Sequence, residues 1–287
     1  MSALFCGIRI EFISRTDNDP LLEQLVKLFR PHATTQAEQT RRKVFVLSQT
    51  MEGLVLKPIG TVEEVLIREN YCSTVLDAFD HVASDVMSPD PCGRLVLIHG
   101  PTGTGKTYLV RGLVEAVKGV RFVLVPSALV AQLTSPGLAE LLAKQRIPTV
   151  LIIEDADMLL AKRMGDNMSS ISAMLNLADG IFGALSDVRI VCTTNATKLE
   201  FDEAILREGR LCRNIEIPNL KQEHAQAVYR RLVDKDLEYA KARSLAQVYR
   251  DARNAGWKPS EKDDDVVVKS TKVNGRKKNA NPSTTPA

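Results

Sequence analysis

Aromatic side chains are scarce in this 287-residue chain, at 5% with a single tryptophan. No apolar stretch approaches the ~20 residues that a membrane span requires. Neither sign of charge dominates: 38 Lys and Arg stand against 35 Asp and Glu, leaving a formal charge of +3. That excess is too small to argue for nucleic acid or an anionic membrane as partner. No basic stripe with interleaved aromatics is present, and "GRKK" at Gly275 to Lys278 is too short to make one. The five cysteines, Cys6, Cys72, Cys92, Cys192 and Cys212, include no C-x-x-C pair. Their spacing suggests neither a disulfide framework nor a zinc site, and a reducing, cytoplasmic setting is the simplest expectation. The opening "MSALFCGIRIEF" lacks a basic region followed by a long apolar core, so it does not read as a secretory signal. What is there, 44% hydrophobic and 25% charged residues, is ordinary for a globular protein.

The texture of the chain divides it into four regions. Residues 1–58 alternate strand-like runs ("IRIEFI", "KVFVLS", "GLVLKP") with one helix-like stretch, "PLLEQLVKLFR", and predict a small α+β module. Residues 59–218 predict an α/β core. It opens on a helix with Val75, Leu76, Phe79, Val82 and Val86 at helical spacing. The runs "RLVLIH", "RFVLVP", "TVLIIE", "RIVCTT" and "NIEIP" follow, separated by helical patterns. Continuous apolar runs of this kind are strands buried on both faces, hence a parallel sheet. Residues 219–257 hold two helical stretches, and residues 258–287 read as a disordered polar tail.

Within "RLVLIHGPTGTGKTYLVRGLVEAV" lies G-x-x-x-x-G-K-T, from Gly100 to Thr107, between a buried strand and an amphipathic helix. Gly100, Gly103 and Gly105 permit the tight path by which backbone N–H groups of Thr102, Thr104 and their neighbours surround phosphates, with Pro101 shaping the start of the loop. The helix start adds partial positive charge at the same point. Lys106 reaches the β- and γ-phosphates, Thr107 offers a hydroxyl to Mg²⁺, and Tyr108 follows on the helix. The helix buries Leu109, Val110, Leu113, Val114 and Val117 on one side. Nucleotide binding is the expectation, with ATP and Mg²⁺ as ligands.

The stretch "TVLIIEDADML" ends an apolar strand on three carboxylates. In such sheets the terminal acid of this strand lies beside the phosphate strand and holds a metal-bound water. Because the apolar run stops at Ile153, Glu154 takes the metal-side position and Asp155 that of the base. A one-residue shift in register would instead make Asp155 the metal acid. Asp157, ahead of "MLLAKR", reads as a helix cap. Farther on, "RIVCTT" ends at Asn195, whose amide is placed to hold a γ-phosphate and a water, although such an Asn alone is most often a turn residue. Arg207 and Arg210 then flank a glycine, an arrangement that in isolation reads as surface charge.

Together these elements resemble the AAA family of ATPases, in the clade with a second region of homology. "GPTGTGKT" matches the Walker A element, "VLIIEDAD" the Walker B element, "TTN" the first sensor and "FDEAILREGRLC" the arginine-finger stretch. The resemblance covers about residues 59–250. The Glu-Asp order is similar to that of members such as the mitochondrial inner-membrane AAA translocase. The resemblance implies a P-loop αβ domain with a small helical lid, ATP between them, and a homo-oligomeric ring, commonly a hexamer. It implies that Arg207 and Arg210 act in trans, and that the segment around Ile59 and Gly60 lines the adenine pocket. It further implies remodelling of a protein substrate. In threading members the loop after the second core strand carries an aromatic; here it reads "SALVAQLTSPG", with Leu133 as the nearest counterpart. A DNA-associated loader and a nucleotide-switched scaffold with little turnover are the competing readings.

Overall fold

The computed structural model describes residues 2–5, 8–11, 24, 43–63, 65–143, 147–157, 186–196 and 211–259. The strands are β1 (Ser2–Phe5), β2 (Ile8–Glu11), β3 (Lys43–Thr50), β4 (Gly53–Thr61), β5 (Leu95–His99), β6 (Arg121–Leu124), β7 (Thr149–Ile153), β8 (Val188–Thr194) and β9 (Leu211–Glu216). The helices are α1 (Ser73–Val86), α2 (Lys106–Ala116), α3 (Pro136–Ala143), α4 (Gln222–Val233) and α5 (Leu245–Asn254).

Seven strands form one sheet in the order β4-β3-β6-β7-β8-β5-β9. All neighbours run parallel except the β3–β4 pair. Every residue of β5, β7 and β8 is buried, as their continuous apolar runs require. Side chains alternate between two layers. Leu95, Leu97, Leu151, Ile153, Ile190 and Cys192 pack on one face with Leu133, Leu138 and Leu142. Val96, Ile98, Val150, Ile152 and Val191 pack on the other, under α1 and α2. The helical spacings are satisfied there: Val75, Phe79, Val82 and Val86 from α1, and Leu109, Val110, Leu113 and Val114 from α2, are each no more than 5% exposed.

The expected boundary at residue 58 falls inside β4, and β3 pairs with β6, so residues 43–61 extend the central sheet. β1 and β2 form a separate antiparallel pair. The helix predicted over "PLLEQLVKLFR" lies outside the described residues apart from Gln24, and residues 260–287 of the tail lie outside them too. Beyond β9, α4 and α5 close a small core of their own around Ala225, Val228, Tyr229, Leu245 and Val248. Among the described residues no helix is long and apolar enough to cross a membrane.

Candidate nucleotide site

The loop between β5 and α2 is held by its glycines. Gly100 has φ +149°, and a Cβ there would sit 2.1 Å from the Ile217 carbonyl oxygen. Gly105 has φ +99° and immediately precedes α2. Only glycine adopts this path without strain, and the path leaves the first N–H groups of α2 open for an anion. Tyr71 Oη donates to the Gly105 carbonyl at 2.8 Å, which fixes the turn from the side of α1.

Lys106 is buried, and its ammonium donates to the carbonyls of Gly100 (2.8 Å) and Pro101 (3.0 Å) and to Asn195 Oδ1 (2.7 Å). Burial lowers its pKa, and the charges of Asp155 and Asp157 pull the other way. A desolvated ammonium beside open N–H groups is a place where a polyphosphate lowers the energy of the site. Thr104 Oγ1 donates to the Pro101 carbonyl at 2.9 Å, and Thr102 Oγ1 donates to Asn195 Oδ1 at 3.3 Å.

β7 ends at Ile153, as its apolar run predicts. Asp155 takes a left-handed conformation (φ 49°), and its N–H donates to Thr193 Oγ1 at 3.2 Å. That turn presents Asp155 to the same cavity as Thr107, Lys106 and Asn195. Glu154 is half-buried at the strand edge. Asp157 does more than start a helix. Its Oδ1 accepts from Thr194 Oγ1 (2.7 Å) and from the N–H groups of Asn195 (2.7 Å) and Ala196 (3.1 Å). Asn195 Nδ2 approaches its other oxygen at 3.4 Å. Burial opposes its ionisation, but these hydrogen bonds outweigh it and hold the carboxyl below its ordinary range. The end of β8, and with it Asn195, is therefore anchored by the turn that follows β7.

The cavity has a volume of about 880 Å³. Beyond the phosphate loop it is lined by Val65, Leu66, Ile67, Asn70 and Tyr71 on one side and by Arg231, Leu245, Ala246, Tyr249, Arg250 and Arg253 on the other. Tyr108 is 45% exposed at its rim. Ile59 and Gly60 do not line it. They belong to the β3–β4 ladder, and the lining segment begins at Val65. The contributions of α4 and α5 had no motif to announce them, since helical arginines read as surface charge. Ala246 N–H donates to the Gly103 carbonyl at 2.9 Å and so brings the start of α5 onto the phosphate loop.

Leu133 is fully buried against the sheet, in a 3-10 turn spanning Ser127–Thr134. The exposed residues of that segment, Ser127, Ala128, Ala131 and Thr134, are all small. Leu133 is thus a core residue and does not reach out to a substrate. Arg207 and Arg210 lie outside the described residues.

Residues 96–219 match the family described as "ATPase family associated with various cellular activities (AAA)". Relatives include the proteasome-activating nucleotidase of Aeropyrum pernix, 34% identical over 175 residues, which cover 56% of this chain and 42% of that protein. The 26S proteasome regulatory subunit 6A of Encephalitozoon cuniculi is 34% identical over 135 residues, 43% of this chain and 33% of that protein. A proteasome-activating nucleotidase of Methanoculleus marisnigri is 39% identical over 135 residues, covering 43% and 32% respectively. The chain thus spans less than half the length of each of these relatives. Phosphate loop and parallel sheet agree with the matched profile: residues 96–219 form a P-loop ATPase domain of the AAA family.

Proposed function

We propose that the chain binds and hydrolyses ATP and uses the cycle, within a homo-oligomeric ring, to remodel a protein partner. The observation that carries the reading is the convergence on one cavity of Lys106, Thr107, Asp155 and Asn195, from three separate strand ends. The loop from Gly100 to Thr107, with Pro101, Thr102, Gly103, Thr104 and Gly105, cradles the phosphates, and Tyr108 flanks them. The apolar wall from Val65 to Tyr71 receives the base.

Thr107 and Asp155, which both line the cavity, would hold Mg²⁺, with Glu154 beside them at the strand edge, and the ion when bound would neutralise charge on the phosphates. Lys106 stabilises the negative charge that develops at the γ-phosphoryl group. Asn195 orients the attacking water, and Asp155 takes its proton as the bond to the γ-phosphorus forms and the bridge to the β-phosphate breaks. Arg207 and Arg210 complete the site of the neighbouring subunit, so hydrolysis needs the ring.

The curated relatives are named for activating or regulating proteasomes, which favours a polypeptide as the thing acted on. Leu133 is not the gripping side chain of such a machine, because it is buried in the core. The near-neutral charge favours protein over DNA. The test is ATP turnover against protein concentration, with unfolded protein or duplex DNA added. Turnover per chain should rise with concentration and respond to polypeptide. No turnover at any concentration would leave a nucleotide-switched scaffold, and stimulation by DNA with steep salt dependence would favour a loader.

A further inference from the structure

On the side of the sheet under α1, four metal-ligating side chains meet that sequence spacing keeps apart. His81 and Asp85 stand one helical turn apart on α1 and share a face. Cys92 lies in the loop that leads into β5, and Cys212 is the second residue of β9. Cys92 Sγ lies 3.2 Å from Cys212 Sγ and 3.6 Å from His81 Nε2, and Cys212 Sγ lies 3.3 Å from Asp85 Oδ2. All four donor atoms fall within 4.8 Å of one another. Zinc bonds of about 2.0 Å to nitrogen or oxygen and about 2.3 Å to sulfur place tetrahedral ligand atoms about 3.3 to 3.8 Å apart. The observed separations of 3.2, 3.3 and 3.6 Å lie close to that spacing.

From this geometry we infer that His81, Asp85, Cys92 and Cys212 form a four-coordinate site for a zinc-like divalent cation. Two thiolates and an imidazole select against magnesium and calcium, which take oxygen ligands. With four protein ligands no position is left for substrate, so the site is structural. Asp85 also accepts the Cys92 N–H through Oδ1 at 2.8 Å, which holds the loop and orients the carboxylate. Asp85 and Cys212 are buried, while Cys92 opens to the surface and offers an entry path. Binding expels the thiol protons to solvent and ties α1, the strand that feeds the phosphate loop and the base of β9 into one unit. In sequence, β9 begins directly after Arg210, so the site braces the strand on which that arginine stretch ends. None of the four residues lines the nucleotide cavity, so the inference stands independently of the ATP reading.

The experiment uses the full chain, kept reduced, stripped with a chelator and titrated with Co²⁺ and then Zn²⁺. One Co²⁺ per chain should bind with thiolate-to-cobalt charge transfer and tetrahedral d–d bands, and Zn²⁺ should bleach both. Cys92→Ser and His81→Ala, each on an accessible side chain, should weaken Co²⁺ binding by at least about 10-fold, as even outer-shell losses do. ATP binding in both variants should stay at the wild-type level. Absence of the charge-transfer band would overturn the inference, as would cobalt affinity undiminished in both variants. Recovery of Cys92 and Cys212 as a disulfide from protein never exposed to oxidant would overturn it too, since a disulfide leaves no thiolate to ligate. Loss of cobalt binding only together with ATP binding would reduce the effect to misfolding and equally overturn it.

Discussion

Replacing Asp157 removes the acceptor on which the end of β8 hangs. In Asp157→Ala, Thr194 Oγ1 and the N–H groups of Asn195 and Ala196 lose a charged partner at 2.7 to 3.1 Å. Hydrogen bonds to charged groups contribute about 1.5–3 kcal/mol each when removed singly, and three on one oxygen are far from additive. Asp157 is only half-buried, so water can reach the freed donors. A loss of roughly 2–4 kcal/mol follows, readable as a lower urea midpoint at unchanged slope. Asp157→Asn keeps a neutral acceptor at the same place and should cost about 1 kcal/mol. Because the folded carboxyl titrates below its ordinary 3.8, its contribution is complete above that pH. It fades as pH falls through the lowered folded value, so the acid limb of the stability curve should be shallower in Asp157→Asn. The Asn variant should also lower kcat for ATP by about 10-fold with little change in KM, since Asn195 would be misplaced only for the step it serves. Wild-type stability and wild-type kcat in Asp157→Ala would refute the reasoning.

Lys106→Met should leave the stability of the nucleotide-free chain within about 1 kcal/mol, because a desolvated charge and its hydrogen bonds disappear together. It should abolish the ATP-dependent rise in thermal midpoint, which at a 100-fold excess over Kd corresponds to about 2.7 kcal/mol in the parent. Gly100→Ala would push a Cβ to 2.1 Å from the Ile217 carbonyl oxygen and should destabilise by roughly 3 kcal/mol or more, seen as poor folding before any loss of affinity is measured. Ser244→Ala breaks the capping box with Gln247 at the start of α5 and should lower stability by about 1 kcal/mol in urea titration. The same change should weaken ATP binding modestly, because that helix start is what touches Gly103.

The parts of the site carried by one continuous stretch are legible in the sequence. A buried strand, a glycine-bracketed turn and a helix with its apolar face at the right spacing occupy consecutive residues, and β5, Gly100–Thr107 and α2 follow that reading. The end of β7 at Ile153 was legible for the same reason. What was missed comes from pairs distant in sequence. Asp157 looked like a helix cap because caps are local, whereas its partners lie 37 to 39 residues away. Cys92 and Cys212 are separated by 120 residues, so no spacing rule for metal sites applies to them. The boundary at 58 followed a change of texture, but β3 reads like any edge strand and only its pairing with β6 assigns it to the core. Leu133, the nearest counterpart of the aromatic in threading members, is buried by its place in the 3-10 turn against the sheet, which loop position alone does not reveal.

The segment from Glu69 to Tyr71 ties the lid to the phosphate loop. The Glu69 carbonyl meets His224 Nε2 of α4 at 2.8 Å, and Arg231 Nη2 of α4 donates to Asn70 Oδ1 at 2.7 Å. Asn70 Nδ2 donates to Tyr249 Oη of α5 at 3.1 Å. The next residue, Tyr71, donates to the carbonyl of Gly105 in the loop itself. A ligand shifts an equilibrium only through contacts that differ between its states. On the proposed reading, phosphates held at the loop would bear on Gly105, and an adenine against Val65–Tyr71 would bear on the same segment from the other side. Either contact alters the platform on which α4 and α5 rest. On that reading ATP and any ligand that displaces α4 and α5 would be coupled through these few adjacent residues, each changing the other's affinity by the same factor.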